Sequence, residues 1–532
     1  TLLASSAASD VYKRQDVFET GALRAGTTSG RVVGSGAPVR VFFASATKGK
    51  SNDAAVRSAY AAEPVFSETA LYHDAAFPLV LTSATEGAEI RYTLDGSAPG
   101  PDSMLYTSPI NISSNAVVRA AAYCDGLLQS DSVVMTYLFE QPHTVPVICI
   151  SISPSAFSEV YAATIKKERV ERQGVFSFYE DGALGVSFPC GFRASGASTL
   201  TAAQKSLAVL LRSGYGVAET NYPFFANSDV SAYRSLVLRN SGQDRTAARI
   251  RDSFFMKAVK GLNIEQVETR LTVVYVNGKY WGIYDLNENQ NEDYLASHYG
   301  VDPDAVDIIR RNFTALEGTK YDFLRVREYA LNRDLSDDAL FAEFAEWVDV
   351  AYFTDYIIAQ TYFANSDMFN QKYWRSQDYS VKWRPVFFDL DFGLHSSSPT
   401  RNILSSYFRV EGVPSQDGSL TNMDIYVGLR KNAAWRDYFC ERYVYVVLNH
   451  FNSERLCAIL DEIAAQLRAE WPRHAARWSD APSLSKWESN VAALRDCLAK
   501  RAEYALKYLQ KEFGVSDEKM QEYRAKALAA SA

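Results

Sequence analysis

The chain has 532 residues, 47% of them hydrophobic and 22% charged, an ordinary globular composition with room for two to four domains of roughly 100–200 residues. Its net charge of −8 argues against a sequence-independent nucleic-acid binder, which needs a basic surface. The sequence contains no apolar run of about 18 residues or more, so no membrane-spanning helix is expected.

The six cysteines form no C-x-x-C pair, which argues against a zinc ribbon and leaves buried free thiols as the plain reading. The first 15 residues, ending in Val11-Tyr12-Lys13-Arg14-Gln15, read as a non-native or leader segment. The chain begins with Thr1 rather than Met, so the lack of a visible export signal carries no weight.

Residues 16–63 are rich in Gly, Ala and Ser and contain one strand-like run, Val39-Arg40-Val41-Phe42-Phe43, followed by a polar turn with Thr47, Gly49 and Asn52. This strand and turn resemble the end of a lamin-tail-like domain. Residues 64–140 read as a small Ig-like β-sandwich, with short strands FPLVLTS, AEIRYTL, AVVRAAAY and VVMTYLF between turn clusters. Asp95-Gly96 supplies the turn and Pro99 ends the ladder. The run from Tyr92 to Pro99, followed by Leu105-Tyr106-Thr107-Ser108-Pro109-Ile110, resembles the chitobiase/hexosaminidase C-terminal-type domain. The resemblance implies a non-catalytic module of exported proteins, suited to glycan or cell-wall contact.

After a short linker, 141–145, a large α+β region spans 146–515 and a tail 516–532 closes the chain. Its first part is strand-rich (VPVICISIS, GVFSFYE, LGVSFPCGFRAS, KSLAVLLR, TVVYVNGKYWGIYDL). Helical patterns dominate from Ser336 to about Ala364 and again from Ala433 onward. Strands first and helices second is the layout of a bilobal, kinase-like α+β domain, and of other enzymes too.

Four clusters in this region carry candidate chemistry. Arg193-Ala194-Ser195-Gly196-Ala197-Ser198-Thr199 is a small-residue loop, and Lys205 follows it into a strand. Such a turn lets backbone N–H groups approach phosphate and a nearby lysine reach its oxygens; a plain hairpin with a solvated lysine is the alternative. Leu238-Arg239-Asn240-Ser241-Gly242-Gln243-Asp244 precedes a helix opened by Arg251 and Asp252. An acid there would pair with Lys205, or Asp244 would cap the helix. Asn277-Gly278 marks a tight hairpin whose second strand runs through Tyr280 and Tyr284 into Glu288, the kind of lobe crossing that holds adenine; the tyrosines otherwise pack.

The fourth cluster is the sharpest. Asn365-Ser366-Asp367 and Asn370 follow a long helical run, and Trp383 leads into Val386-Phe387-Phe388-Asp389-Leu390-Asp391-Phe392-Gly393. The acids end an apolar strand that runs through 386–391, so Asp389 and Asp391 share a face. Two such carboxylates are costly to bury without a cation and suit Mg²⁺, which prefers oxygen ligands; surface hydrogen bonding by an acid pair is the alternative.

The four clusters in this order resemble the spore coat protein H (CotH) kinase family across roughly residues 146–450. The resemblance implies an atypical protein kinase that uses ATP and Mg²⁺ (or Mn²⁺) to phosphorylate Ser or Thr of exported, surface or coat proteins. It implies Asp367 as the catalytic acid/base and Asn370 with Asp389 or Asp391 as metal ligands. Lys205, Arg193, Tyr284, Glu288 and Trp383 would then contact ATP. The family's W-to-Asp spacing pairs Trp383 with Asp389, while the literal Asp391-Phe392-Gly393 favours Asp391. Two other functions compete: a catalytically inactive surface or coat protein used for structure or adhesion, and a carbohydrate-processing enzyme, which needs a paired Asp/Glu cleft. An extracellular or cell-surface location, a protein substrate and no nucleic-acid partner complete the expectation.

Overall fold

The computed structural model describes residues 23–31, 40–46, 48, 56–310, 313–368, 370–408, 413–414, 420–421 and 423–530. The segment 1–15 lies outside them. Of the lamin-tail-like stretch, Val41–Phe43 pairs antiparallel with Thr28–Gly30, while most of the Thr47–Asn52 turn is outside the described residues.

Residues 65–137 form a compact β unit. A four-stranded antiparallel sheet orders Val133–Tyr137, Ala116–Tyr123, Glu89–Thr93 and Met104–Leu105. Two short ribbons, Val65–Phe66 with Leu81–Thr82 and Phe77–Leu79 with Ile110–Ile112, complete it. Alternate side chains from the sheet and the ribbons, including Phe66, Leu79, Ile90, Val118, Ala120 and Tyr137, share one core. Ala116–Tyr123 is buried on both faces because its other face covers the next domain, where Val117 and Val134 meet Val175. Asp95 accepts the Ser97 N–H at 2.9 Å and Gly96 takes φ +85°, so this acid is a turn residue and the turn needs glycine.

The linker is pinned. His143, buried, sets Nδ1 2.6 Å from Glu470 Oε2 and Nε2 2.8 Å from the Tyr275 hydroxyl. The Thr144 N–H also donates to Glu470, at 2.9 Å. The hairpin tip at Asn277-Gly278 meets the β unit as well: a Cβ on Gly278 would come within 3.2 Å of the Ala116 backbone.

From Val147 the chain closes a seven-stranded barrel. The order is Val147–Ser151, Glu171–Glu180, Ala183–Ser195, Ser206–Leu210, Ser235–Arg239, Lys279–Glu288 and Thr269–Val276, and parallel pairing of the last strand with the first seals it. Inward side chains fill the interior, among them Ile148, Phe176, Phe192, Leu207, Leu238, Val274 and Tyr284. Asn277 and Gly278 both have positive φ, the two-residue turn that Asn-Gly favours.

The second half is mostly helical. Helices Val350–Tyr362, Ala433–Asn449, Ser453–Arg477 and Leu484–Phe513 enclose a second large core with Arg251–Ala258. The helical expectation over Ser336 to Ala364 resolves into Asp338–Ala345 and Val350–Tyr362, because Asp349 caps the second helix by accepting the Tyr352 N–H at 3.0 Å. The segment expected as a tail is the helix Asp517–Ala529, packed on Ala433–Asn449 through Met520, Tyr523 and Ala527. A β-rich N-terminal region therefore precedes a mixed α/β region, in a multidomain chain. All six cysteines are free thiols, five of them buried. Among the described residues no helix is long and apolar enough to cross a membrane.

Candidate functional site

The site gathers where the barrel strand Ser235–Arg239 ends against the helical half. Arg239 is its hub. Nη2 lies 2.7 Å from Asp389 Oδ1 and 3.8 Å from Asp391 Oδ1, and Nε lies 2.9 Å from Asp252 Oδ2. Three carboxylates around one guanidinium leave an excess of negative charge. Burial and the neighbouring Asp389 charge push the Asp391 carboxyl well above the usual carboxylate range. Burial acts the same way on Asp389, but Arg239 more than offsets it and holds that carboxyl low.

The residues after Arg239 build the cradle. Asn240 is fully buried; its Oδ1 accepts from the Ser206 hydroxyl at 2.9 Å and from the Gly242 N–H at 3.0 Å, and its Nδ2 donates to the Gln204 carbonyl at 2.7 Å. Gly242 has φ +55°, and a Cβ there would lie 2.3 Å from Asp391 Oδ2, so only glycine lets the backbone pass. The Gln243 N–H consequently donates to Asp391, while its side chain donates to Ser198 at 3.0 Å. This glutamine ties the small-residue loop to the acidic pair.

Asp244 is a buried cap. It accepts the N–H groups of Ile250 at 2.8 Å and Arg251 at 3.0 Å and pairs with the Arg251 guanidinium. Arg251 also donates to Ser397 and to the carbonyls of Leu394 and His395, holding the segment after Gly393. Asp252 accepts the Leu390 N–H at 2.8 Å. The Arg251-Asp252 pair thus grips the acidic loop from both sides, and the acid at the helix start partners Arg239 rather than Lys205.

One expectation about the fourth cluster changes. The regular strand ends at Pro385, and 386–390 is irregular, with Asp389 at φ +59°. Strand alternation is therefore not what aligns Asp389 with Asp391; convergence on Arg239 is. On the facing side, Asn370 Nδ2 donates to Asp389 Oδ2 at 2.6 Å, the Asn370 N–H donates to the Asp367 carbonyl at 3.0 Å, and the Ser366 hydroxyl donates to the Phe392 carbonyl at 3.5 Å. Asp367, Asn370, Asp389 and Asp391 thereby form one neighbourhood. Lys372, just beyond Asn370, sits 4.1 Å over the Phe388 ring; burial lowers its ammonium to about 8 against the attraction of Asp389.

The other expected residues are placed differently. Lys205 is buried, with Nζ donating to the carbonyl of Ala163 at 2.9 Å and to that of Leu200, so the solvated-lysine alternative is overturned. Ala163 follows the helix Pro154–Ala162, whose C-terminal carbonyls attract a cation. Tyr284 belongs to the barrel interior and donates its hydroxyl to the Lys205 carbonyl at 2.9 Å, which leaves no open ring face. Trp383 is fully buried and donates Nε1 to Asp322 at 2.9 Å. Glu288 is buried, accepting from the Glu268 N–H at 2.9 Å and lying 2.8 Å from His298 Nε2. Arg193 is half-buried in Ala183–Ser195, with Nε lacking a hydrogen-bond partner.

The donor set admits a hard cation. Asp389, Asp391 and Asn370 all offer oxygen, and three carboxylates share the one Arg239 guanidinium. Among the described residues no group of three or more His, Cys, Asp or Glu is arranged to hold a metal by itself. The set fits an ion held by one or two carboxylates and completed by substrate oxygens and water, as Mg²⁺ commonly is.

A barrel end and a helical half join around an acid pair, an amide and a loop aspartate, in a mixed α/β region. The chain matches the family described as CotH kinase protein over residues 192–505, more than half its length, and it belongs to that family. Residues 79–137 match the family described as Fn3 associated. No curated protein matches the chain.

Proposed function

We propose that the chain is an ATP- and Mg²⁺-dependent protein kinase that transfers the γ-phosphoryl group to Ser or Thr of exported, surface or coat proteins. The observation that carries this reading is the clasp of Asn370 and Arg239 on Asp389, with Asp391 alongside. Bound metal would neutralise phosphate charge. Asp389, whose side chain keeps 29% exposure against 4% for Asp391, would be the principal metal ligand, with Asp391 and Asn370 beside it. Asp367 accepts the proton of the acceptor hydroxyl as its oxygen bonds to the γ-phosphorus and ADP leaves. Arg239 and the Gln243 N–H fix the two carboxylates so that little reorganisation is needed during transfer.

In this reading Arg193 and the Ser195–Thr199 loop face the phosphates, and Lys205 reaches them only after leaving its carbonyl partners. Residues 64–140 serve as a chitobiase-type module for glycan or cell-wall contact, 16–63 as part of a lamin-tail-like domain, and the protein acts at the cell surface or outside the cell.

A second reading, an inactive structural or adhesion protein, draws on the same atoms: Arg239 already pairs with the acids, and Lys205 is engaged by carbonyls. Incubation with labelled ATP and Mg²⁺ separates the two. The kinase incorporates label into itself or an added acceptor and Asp367→Asn does not; a wild type that never incorporates label supports the structural protein.

A further inference from the structure

Lys372 opens the strand Lys372–Ser376, two residues after Asn370. Its backbone is fixed. It pairs with Arg310 of the neighbouring strand Val306–Arg310, and its carbonyl accepts the Val386 N–H at 2.9 Å, which ties it to the segment leading into Asp389. The side chain is half-buried, with Nζ 4.1 Å from the centre of the Phe388 ring. Among the described residues no oxygen accepts a hydrogen bond from this ammonium. Asp389, the residue after Phe388, attracts it from beyond ion-pair distance, and Glu265 attracts it as well; Arg310 and Lys166 repel it.

Other cations of the region are committed. Arg239 serves Asp252, Asp389 and Asp391, and Lys205 serves two carbonyls. Lys372 instead keeps three ammonium donors for a partner from outside the described residues. The Phe388 ring face steadies the cation without taking those donors.

A metal ion on Asp389 changes the balance at Lys372. The lysine then stands beside a second positive centre, and the carboxylate that attracted it is shared with the ion. An anion that reaches both restores the balance. A phosphate chain has oxygens enough for the ion and for the lysine together.

We propose that Lys372 is a phosphate-binding cation of the Asp389 site, taking a phosphate oxygen of a nucleoside di- or triphosphate and opposing metal binding when that nucleotide is absent. This role rests on the proposed kinase function and needs no movement of Lys205.

Titration calorimetry on the full chain tests it, with Mg²⁺-ADP, adenosine and Mn²⁺ alone as probes of the wild type, Lys372→Met and Lys372→Arg. Lys372→Met weakens Mg²⁺-ADP binding by roughly tenfold or more, leaves adenosine within about twofold and binds Mn²⁺ alone more tightly than the wild type does. Lys372→Arg restores most of the Mg²⁺-ADP affinity, because it returns the charge. A lysine that only packs on Phe388 would shift all three probes alike or none of them. If Lys372→Met fails to fold by thermal melting, Lys372→Gln carries the comparison. Equal Mg²⁺-ADP affinity in the wild type and the folded variant overturns this proposal alone, as does a matching loss for adenosine. A wild type that binds no nucleotide overturns the kinase reading, and this role with it.

Discussion

Asn370 donates from Nδ2 to Oδ2 of Asp389 at 2.6 Å, and this bond joins the loop after the helix Val350–Tyr362 to the acidic pair held by Arg239. The amide and the acid are 19 residues apart in sequence, and their bond fixes Asp389 Oδ2 against that loop. Asn370→Ala therefore frees Asp389 to rotate. A weaker response to Mg²⁺ with nucleotide is expected by calorimetry, with the melting temperature of the unliganded protein little changed.

Arg239→Met removes the guanidinium that Asp252, Asp389 and Asp391 share. Stranding buried charges typically costs about 3–5 kcal/mol. Urea unfolding should show a loss of that order, because three acids lose their partner at once. A loss below about 1 kcal/mol would mean that water already solvates the acids.

Asp244→Asn keeps the shape of a cap but removes the charge that faces Arg251. The aspartate is fully buried and accepts three backbone N–H groups, of Ala248, Ile250 and Arg251. A stability loss of about 2–4 kcal/mol is expected from the unpaired guanidinium. Limited proteolysis should then cut near residues 394–397, which Arg251 holds.

Glu265 sets a pH dependence of stability. Burial raises its carboxyl to about 7 from 4.5, opposed by the Trp374 hydrogen bond and by the charges of Arg384 and His298, with Tyr299 also facing it. The folded state binds the proton more tightly than the unfolded chain, so this contribution is complete below about pH 4.5 and is lost as pH rises through about 7. At about 1.4 kcal/mol for each pH unit of difference, the change is of order 3 kcal/mol. Chemical unfolding at a series of pH values should show that decline in the wild type and a flatter profile in Glu265→Gln.

Much of this architecture is legible in local sequence because local chemistry determines it. Asp95-Gly96 and Asn277-Gly278 have the residue types that positive-φ turns demand, and both occupy them. Asp367, Asn370 and the two acids at 389 and 391 stand out as polar residues beside apolar runs, and they do come together. Arg239 is legible only as a member of the Leu238–Asp244 cluster; its role at the acids is not, because its partner Asp389 is 150 residues away. Tyr284 and Trp383 attract attention as aromatic ligand candidates, but barrel closure and the helical core decide their burial, and both depend on long-range pairing. Lys205 shows the same limit, since its carbonyl partners at 163 and 200 come from a helix end and a loop. The strand read at 386–391 failed because the pull of Arg239 on Asp389 and the Asp252 bond to the Leu390 N–H favour an irregular backbone there.

Thermal shift of the wild type with ATP, with ATP and Mg²⁺, and with ATP and chelator, alongside Asp367→Asn, Asp389→Asn and Asp391→Asn, tests the kinase account most directly. Ligand linkage predicts that Mg-ATP stabilises the wild type more than ATP with chelator does. Asp367→Asn should keep that response while losing phosphoryl transfer, and Asp389→Asn should lose the metal-dependent part more completely than Asp391→Asn. If none of the four proteins responds to Mg-ATP, the acid cluster is a structural ion network and the chain is not a working kinase.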